Sequence, residues 1–364
     1  MATANKTNSA GRRLAFADGL RGIASFWVVL FHMGAGHHIT ALKMIMPLWV
    51  SIAMFDWGYL GVPIFFVLSG FVMAYTVRQI KINGSLGIKF VLRRLIRLSP
   101  PYYFAIAFAI GMGFLKAYAL GVAQPHVGLS DIVAHLLYLQ EMLSKSEINS
   151  VFWTLGIEVQ FYFAFAILLV ISDSSILQSI HSQARIYIIG FVSLLSLLWP
   201  AHITQYQLWH ADFLGFWHSF LAGVLVCWGW IEGGKVRQFA IVYCATMLLI
   251  GIGFPSGFTI TAAITGSLLL AAGLMGTMGT WLSWSWIQAI GLISYSLYLL
   301  HNPLTGATFS IVGKVLPFGY WTESVGIICS IVICLGASWV AFMLIERPSI
   351  AWSHSISFTR KTPN

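Results

Sequence analysis

Hydrophobic residues occur in long runs along the chain, and short polar segments separate these runs. A membrane-spanning helix needs about 20 mostly apolar residues. The pattern therefore predicts an all-α, polytopic integral membrane protein with about ten transmembrane helices. Their expected positions are 16–36, 58–78, 98–120, 152–172, 185–200, 211–231, 238–254, 258–278, 287–308 and 322–345.

The composition supports the same class. Of the 364 residues, 58% are hydrophobic and 9% are charged. Soluble domains carry about 25% charged residues, because even a large globule must cover its surface with polar groups. A soluble fold of this length is therefore excluded.

Basic residues lie mainly on one side of the predicted membrane. All but four of the 20 Lys and Arg residues fall in loops or at span edges on the side of the two termini. The four exceptions are Lys43, Lys116, Lys145 and Lys314. Because cytoplasmic loops are enriched in Lys and Arg, both termini are predicted to be cytoplasmic. The net charge of +9 then reflects membrane topology, and no nucleic-acid partner is expected.

This topology predicts three regions. They are a cytoplasmic N-terminal tail at 1–15, a transmembrane domain at 16–346 and a cytoplasmic C-terminal tail at 347–364. The four cysteines lie within apolar runs without the spacing of a metal site, so no metal is expected.

The first predicted span carries two ionisable residues on one helical face. Arg21 and His32 are eleven residues apart, which is about three turns and about 16 Å along a helix. Asp18 lies one turn before Arg21 and is grouped with it as a candidate binding residue. Arg21 alone could anchor the helix at the membrane surface, and His32 could bond a neighbouring carbonyl. Ionisable groups inside a membrane are costly and mark functional sites by default.

Two later spans add titratable groups. Glu158 lies about 9 Å into the fourth span, and no basic residue of that helix can pair with it. His301 follows Tyr298 on a polar stripe of the ninth span, about 20 Å from its inner end. We expect His32, Glu158 and His301 to reach comparable depths and to border one pocket. A role for Glu158 in helix packing alone is an equal alternative.

An arginine-rich turn precedes the third span. Arg93 and Arg97 are one helical turn apart and are expected to face the same way at the cytoplasmic surface. They could simply form a positively charged loop beside anionic lipids. Together with Arg21, they could instead border a phosphate-binding site.

The order of several short motifs resembles that of membrane acyltransferase family 3, over nearly the whole chain. The motifs are Leu20-Arg21-Gly22 with His32, Phe65-Phe66-Val67-Leu68-Ser69-Gly70-Phe71, Arg93-Arg94-x-x-Arg97 before Pro100-Pro101-Tyr102, Trp153-Thr154-Leu155 before Glu158, Ile293 to His301, and Glu346-Arg347-Pro348. Each motif is weak by itself, but their order along ten predicted spans is specific. Thr154 and Gly156 depart from the serine-rich sequence of many relatives, so a serine nucleophile is not inferred.

The resemblance implies that cytoplasmic acyl-CoA, usually acetyl-CoA, is the donor and that a hydroxyl, usually of a sugar, is the acceptor. The expected partners are thus acyl-CoA, a carbohydrate or glycolipid acceptor and membrane lipids, in a bacterial inner membrane. Under this hypothesis His32 is the catalytic base and Glu158 orients it or sets its pKa. His301 and Tyr298 would line the acceptor or oxyanion side. The CoA phosphates would be held by Arg21, Arg93 and Arg97, with Asp18 nearby.

Two other functional classes remain open from the sequence. A proton-coupled secondary transporter or flippase could use His32, Glu158 and His301 as a proton relay. A structural scaffold of a glycan-export complex is a weaker alternative.

Overall fold

The protein is described by a computed structural model that covers residues 14–121, 123–124, 126–181, 183–208 and 212–357. Within these ranges all regular structure is helical, which confirms the all-α expectation. Most of the predicted N-terminal tail and the end of the C-terminal tail, residues 358–364, lie outside the described residues. Five basic residues of the charge argument lie there too: Lys6, Arg12, Arg13, Arg360 and Lys361.

Sixteen α-helices form the described part of the chain, with two π-helical turns at Ile52–Asp56 and Phe342–Glu346 and a 3-10 turn at Trp57–Leu60. The α-helices are α1 (Ala15–Ala35), α2 (Thr40–Ile45), α3 (Leu48–Ser51), α4 (Gly61–Val77), α5 (Gly84–Leu120), α6 (Leu129–Leu136), α7 (Trp153–Ser172), α8 (Ser175–Ile180), α9 (Ala184–Ser196), α10 (Trp217–Glu232), α11 (Gly234–Gly253), α12 (Gly257–Leu274), α13 (Ser285–Leu292), α14 (Ser294–Val315), α15 (Tyr320–Ala341) and α16 (Arg347–Ser355).

Six helical segments of the described chain are long and apolar enough to cross a membrane. They are Leu48–Val77, Gly84–Ala119, Trp153–Ser172, Gly234–Gly253, Gly257–Leu274 and Tyr320–Ser355. This finding confirms a helical membrane protein, while the count of ten spans stays a prediction. Helices α1 and α14 coincide with predicted spans and have the length, but polar residues lower their hydropathy. Helices α9 and α10 also coincide with predicted spans but are short.

Helix α5 is longer than the predicted third span. It has 37 residues, about 55 Å, against a hydrocarbon core of about 30 Å. Pro100 and Pro101 lie inside it. Because Pro101 has no N–H, the carbonyl of Arg97 loses its helical donor. The Ser349 hydroxyl lies 3.0 Å from that carbonyl and takes the missing donor's place.

The last helix continues past the predicted end of the tenth span. A π-turn, Phe342–Glu346, joins α15 to α16, so one helical segment runs over Tyr320–Ser355. The predicted C-terminal tail, 347–364, therefore begins as a helix. Helix α16 packs on α5, where His354 Nδ1 lies 2.6 Å from a guanidinium nitrogen of Arg93.

The predicted outer loop at 117–151 folds back into the helix bundle after α6. Tyr138 stacks on Tyr102 of α5 with 4.8 Å between ring centroids, and its hydroxyl lies 3.1 Å from Ser99 Oγ. Phe152, at the end of this segment, is 1% exposed. Helix α7 therefore begins among buried side chains of the bundle.

Helices α4 and α10 form the central contact of the bundle. A Cβ atom added to Gly70 of α4 would lie 1.9 Å from the Phe220 carbonyl, and one added to Gly223 of α10 would lie 1.9 Å from the Val67 carbonyl. The two backbones can approach so closely only because neither position has a side chain. Small residues support the same kind of packing between membrane helices in general.

A buried ion pair ties the connection between α4 and α5 to helices α7 and α9. Arg185 Nε donates to Asp173 Oδ1 at 2.9 Å, and a guanidinium nitrogen donates to the Ile80 carbonyl at 2.6 Å. The second oxygen of Asp173 accepts from the Ile82 backbone N–H at 2.7 Å. The carboxylate is 2% exposed, so its negative charge depends on these donors.

We predict that Asp173→Asn lowers the free energy of unfolding by about 2–4 kcal/mol, because it leaves the Arg185 charge buried without its carboxylate. Thermal unfolding in detergent, followed by loss of monodisperse protein, measures the effect. The double variant Asp173→Asn/Arg185→Gln should lose less stability than the sum of the single variants, because it removes both charges. Additive losses would contradict the coupling.

Candidate functional site

The predicted site residues lie in two layers along α1, with Arg21 in one layer and His32 in the other. The consecutive helices α13 and α14 run in the same direction as α1, since Gly22 packs on Gly291 of α13 and His32 meets His301 of α14. The layers are about 16 Å apart along α1.

The histidine layer is a direct contact between two imidazole rings. His301 Nε2 lies 3.1 Å from His32 Nδ1. His301 Nδ1 lies 2.8 Å from the Tyr298 carbonyl and 3.1 Å from the Leu297 carbonyl. His301 is fully buried, so the backbone of its own helix fixes its orientation.

The carbonyl partners determine which nitrogen of each ring carries the proton. A carbonyl only accepts, so His301 Nδ1 is the protonated nitrogen and His301 Nε2 is an acceptor in the neutral ring. His32 Nδ1 faces that acceptor and also the Val28 carbonyl at 3.0 Å, so it must be the donor. The remaining nitrogen, His32 Nε2, keeps a free lone pair. His32 is thus oriented as a base.

Glu158 belongs to the other layer and does not contact His32. Its Oε1 accepts hydrogen bonds from the Ser69 hydroxyl at 2.7 Å and from the Tyr162 hydroxyl. The hydroxyls of Thr154 and Tyr298, 2.8 Å apart, set the register between α7 and the antiparallel α14. Glu158 lies one turn beyond Thr154 towards Arg21, whereas His301 lies one turn beyond Tyr298 in the opposite direction.

The expectation that Glu158, His32 and His301 share one depth is therefore wrong. Glu158 is about 10 Å from the histidine layer along the helix axes. The cause is the folded-back segment before α7, which makes that helix start inside the bundle. The expected role of Glu158 in orienting His32 passes to His301, the residue that contacts it.

A cavity of about 870 Å³, its mouth included, lies in the layer of Arg21 and Glu158. Guanidinium, carboxylate and hydroxyl groups share its wall with aromatic and aliphatic side chains. Its polar lining residues are Arg21, Ser69, Arg94, Arg97, Thr154, Glu158, Tyr162, Ser294, Tyr295 and Tyr298.

Three arginines dominate the electrostatics of this cavity. Arg94 donates to Thr76 Oγ1 at 3.2 Å, and its guanidinium lies 6.0 Å from the ring centroid of Tyr162. Within the described part of the chain, the side chains of Arg21 and Arg97 make no hydrogen bond. Their N–H groups are therefore available to an anion entering the cavity. Arginine forks suit phosphate oxygens because they can donate two parallel hydrogen bonds.

Two predicted binding residues lie elsewhere. Arg93 does not line the cavity and faces His354 of α16 instead. Asp18 is half-buried outside the cavity lining, on the part of α1 whose backbone packs on Gly291. The arginine that accompanies Arg97 is Arg94, three residues before it. Residues three and four positions apart are both neighbours on a helix surface. The spacing alone therefore does not decide whether Arg93 or Arg94 lies beside Arg97.

Sequence reasoning also left two cavity residues and one residue next to the cavity without a role. Ser69 and Tyr162 donate to Glu158, and Glu346 lies behind the cavity, next to α14. A signal existed for each of them. Ser69 and Glu346 belong to motifs of the family resemblance, and Tyr162 is one helical turn after Glu158.

Tyr298 connects the two layers. Its ring lines the cavity, lies 6.0 Å from the His301 ring and contacts Phe65 edge to face at 5.6 Å. Its hydroxyl lies 2.8 Å from Thr154 Oγ1. Tyr298 therefore lies between the cavity and the histidine pair. Among the residues that the structure describes, no group of three His, Cys, Asp or Glu side chains could hold a metal ion.

Comparison with known proteins identifies the family of this chain. Residues 14–343 match the sequence profile of a family described as an acyltransferase domain. Over 365 aligned residues the chain is 26% identical to BcsY of Komagataeibacter xylinus, a proposed membrane-bound transacylase, covering 93% of this chain and 83% of that protein. It is 28% identical over 154 residues to ORF330 of Acidianus two-tailed virus, a proposed acetyltransferase, covering 42% of this chain and 40% of that protein. No solved structure matches the chain.

The match over nearly the whole described chain means that this protein belongs to membrane acyltransferase family 3. It is a membrane acyltransferase by family.

We predict that both His32 and His301 are neutral and protonated at Nδ1 in the protein without substrate. Solid-state ¹⁵N NMR of histidine-labelled protein in lipid at mildly alkaline pH measures the tautomers. Difference spectra against His32→Gln and His301→Gln assign the two rings among the 11 histidines. A His32 ring protonated at Nε2 would contradict the orientation derived from the carbonyl contacts.

Proposed function

We propose that this membrane acyltransferase moves an acyl group, most simply acetyl, from cytoplasmic acyl-CoA to a hydroxyl of a sugar-containing acceptor, such as an exported or cell-surface glycan. The observation that carries the proposal is the orientation of His32, whose Nε2 lone pair is free, about 16 Å along α1 from Arg21 of the arginine-lined cavity. The names of the two relatives, a transacylase and an acetyltransferase, support the same chemistry.

The arginine layer would bind the donor. Arg21, Arg94 and Arg97 offer charge-assisted hydrogen bonds that suit the phosphates of acyl-CoA. The thioester arm would then extend past Tyr298 towards His32, about 16 Å from Arg21 along α1. Only the arm and its acyl group would need to enter the histidine layer, because the phosphates stay with the arginines.

The histidine layer would carry out the transfer. His32 Nε2 accepts the proton of the acceptor hydroxyl while the hydroxyl oxygen bonds to the thioester carbonyl carbon. The carbon–sulfur bond then breaks, and the thiolate of CoA takes the proton back from the imidazolium. The neutral His301 Nε2 accepts the Nδ1–H of His32 throughout, so it stabilises the positive charge that His32 gains during the reaction.

The topology of the proposal follows the charge pattern. We take the protein to have ten spans and cytoplasmic termini in a bacterial inner membrane. In that topology the arginines would lie towards the cytoplasm and the histidine pair towards the opposite side of the membrane. Such an arrangement would deliver acyl groups to an acceptor outside while CoA stays inside. The acceptor and membrane lipids would be the partners on that side, without a nucleic acid or a metal.

The transport alternative is less well supported. A relay through His32, His301 and Glu158 needs a continuous series of hydrogen bonds, but Glu158 bonds Ser69 and Tyr162 about 10 Å from the histidines.

We predict that His32→Ala lowers acetyl transfer by about 10²–10⁴-fold, the usual contribution of a general base. Purified protein in proteoliposomes with radiolabelled acetyl-CoA and a lipid-linked glycan extract provides the assay, and mass spectrometry of the glycan identifies the product. Coupled uptake of substrate without acyl turnover by the wild-type protein would overturn the proposal and favour a transporter.

We also predict that Arg97→Gln and Arg94→Gln raise the KM for acetyl-CoA roughly tenfold, because each removes a charged donor to phosphate. Arg93→Gln is the matched comparison on the same helix, and its KM should stay near that of the wild type because Arg93 faces His354. A larger effect at Arg93 than at Arg94 would favour the arrangement expected from the sequence alone.

A further inference from the structure

Glu346 is held in the bundle by an irregular turn of the last helical segment. The π-turn Phe342–Glu346 interrupts the α-helical repeat between α15 and α16. Such turns change the direction of the following side chains and are frequent at functional sites. Glu346 is 2% exposed, so a carboxylate lies in the interior next to the site already described.

The contacts of Glu346 connect it to the elements that carry the cavity. Its Oε2 accepts from the Ser296 hydroxyl at 2.6 Å and from the Ser296 backbone N–H at 3.2 Å. Ser296 follows Tyr295, which lines the cavity. The Ser349 hydroxyl lies 2.7 Å from the Glu346 carbonyl and 3.0 Å from the Arg97 carbonyl. The turn is thereby fixed against both α14 and the arginine-bearing α5.

Among the described residues, Arg21 and Arg97 are cationic side chains close enough to Glu346 to act on it electrostatically, and Ser349 links the Glu346 and Arg97 carbonyls directly. Neither guanidinium hydrogen-bonds to Glu346, and Glu346 is not part of the cavity wall. Its negative charge therefore compensates the two arginines from outside the cavity wall and leaves their N–H groups free to bind a ligand. Removing water from three clustered guanidinium groups would be costly without such compensation.

We propose that Glu346 is a positioning residue that limits the affinity of the arginine cluster for its anionic ligand. It compensates Arg21 and Arg97 while the cavity is empty, and it opposes the phosphate charge once the donor is bound. Resting on the function proposed above, this arrangement lets CoA leave after transfer instead of remaining as a tightly bound product.

The test is CoA binding to the Glu346→Gln protein, measured by calorimetry in detergent. The amide can still accept from Ser296, but the negative charge is lost. We expect the Kd for CoA to fall roughly tenfold and its dependence on salt to become steeper. In turnover, kcat and KM for acetyl-CoA should both fall, because release of the product becomes slower. A purely structural role would not tighten binding.

Two comparison variants separate charge from local packing. Glu323→Gln alters another buried carboxylate, which accepts from the Ala41 and Leu42 backbone N–H groups away from the cavity, and should leave the Kd unchanged. Ser296→Ala removes the hydroxyl donor but keeps the charge, and should not tighten binding. Equal or weaker CoA binding by folded Glu346→Gln protein would overturn the inference.

Two further measurements keep the inference separate from the proposed function and from folding. Pyrophosphate serves as a second probe. Wild-type protein that binds pyrophosphate but not CoA would overturn the proposed donor, while tighter pyrophosphate binding in Glu346→Gln would still support the role of Glu346.

If Glu346→Gln does not fold, Arg21→Gln/Glu346→Gln should bind CoA more tightly than Arg21→Gln alone. Equal binding by these two variants would overturn the inference.

Discussion

The central constraint on this structure is the presence of three arginine side chains inside a helix bundle that is largely apolar. Arg21 comes from α1, and Arg94 and Arg97 come from α5. Guanidinium groups stay charged, so the bundle must supply compensation or keep them hydrated. Two carboxylates lie close enough to act on them electrostatically, Glu158 in the cavity wall and the buried Glu346 outside that wall. The balance still leaves an excess of positive charge, which is why we propose an anionic ligand.

Each carboxylate reaches its place through a departure from regular helical structure. Glu158 lies at the level of the arginines because the segment before α7 folds into the bundle and lowers the start of that helix. Glu346 follows a π-turn that re-aims the end of the last helical segment. On α5, Pro101 cannot donate a hydrogen bond to the Arg97 carbonyl, and the Ser349 hydroxyl of α16 donates to that carbonyl instead. The irregularities thus serve the same group of charges.

The sequence could predict the elements and part of the site. Hydrophobic runs identified the helices, since the apolar requirement of a membrane span acts locally on each segment. The pairing of Arg21 with His32 on one face followed from helical periodicity alone. His301 was found because a buried imidazole is rare enough to be informative in an apolar span.

The remaining site residues depend on how helices are placed relative to each other. Arg93 and Arg94 are both one helical turn or less from Arg97, and only the position of α16 decides that Arg93 faces His354. The depth of Glu158 was counted from an assumed start of the fourth span at the membrane surface, whereas the contact between Thr154 and Tyr298 fixes its level relative to His301. Glu346 lay at the predicted end of a span, where a charged residue is ordinarily solvated. In each case a contact between segments distant in the sequence determines where the side chain lies.

The separation between the two layers has a chemical consequence of its own. An arginine beside His32 would disfavour the imidazolium, because like charges in a medium of low dielectric constant repel strongly. A distance of about 16 Å along α1 weakens that repulsion, and the neutral His301 supplies a hydrogen-bond acceptor instead of a charge. The same helix can therefore hold an anion at one end and a neutral base at the other. Tyr298 lies between them as an uncharged side chain, past which the neutral arm of the proposed donor would extend while its charged groups remain in the cavity.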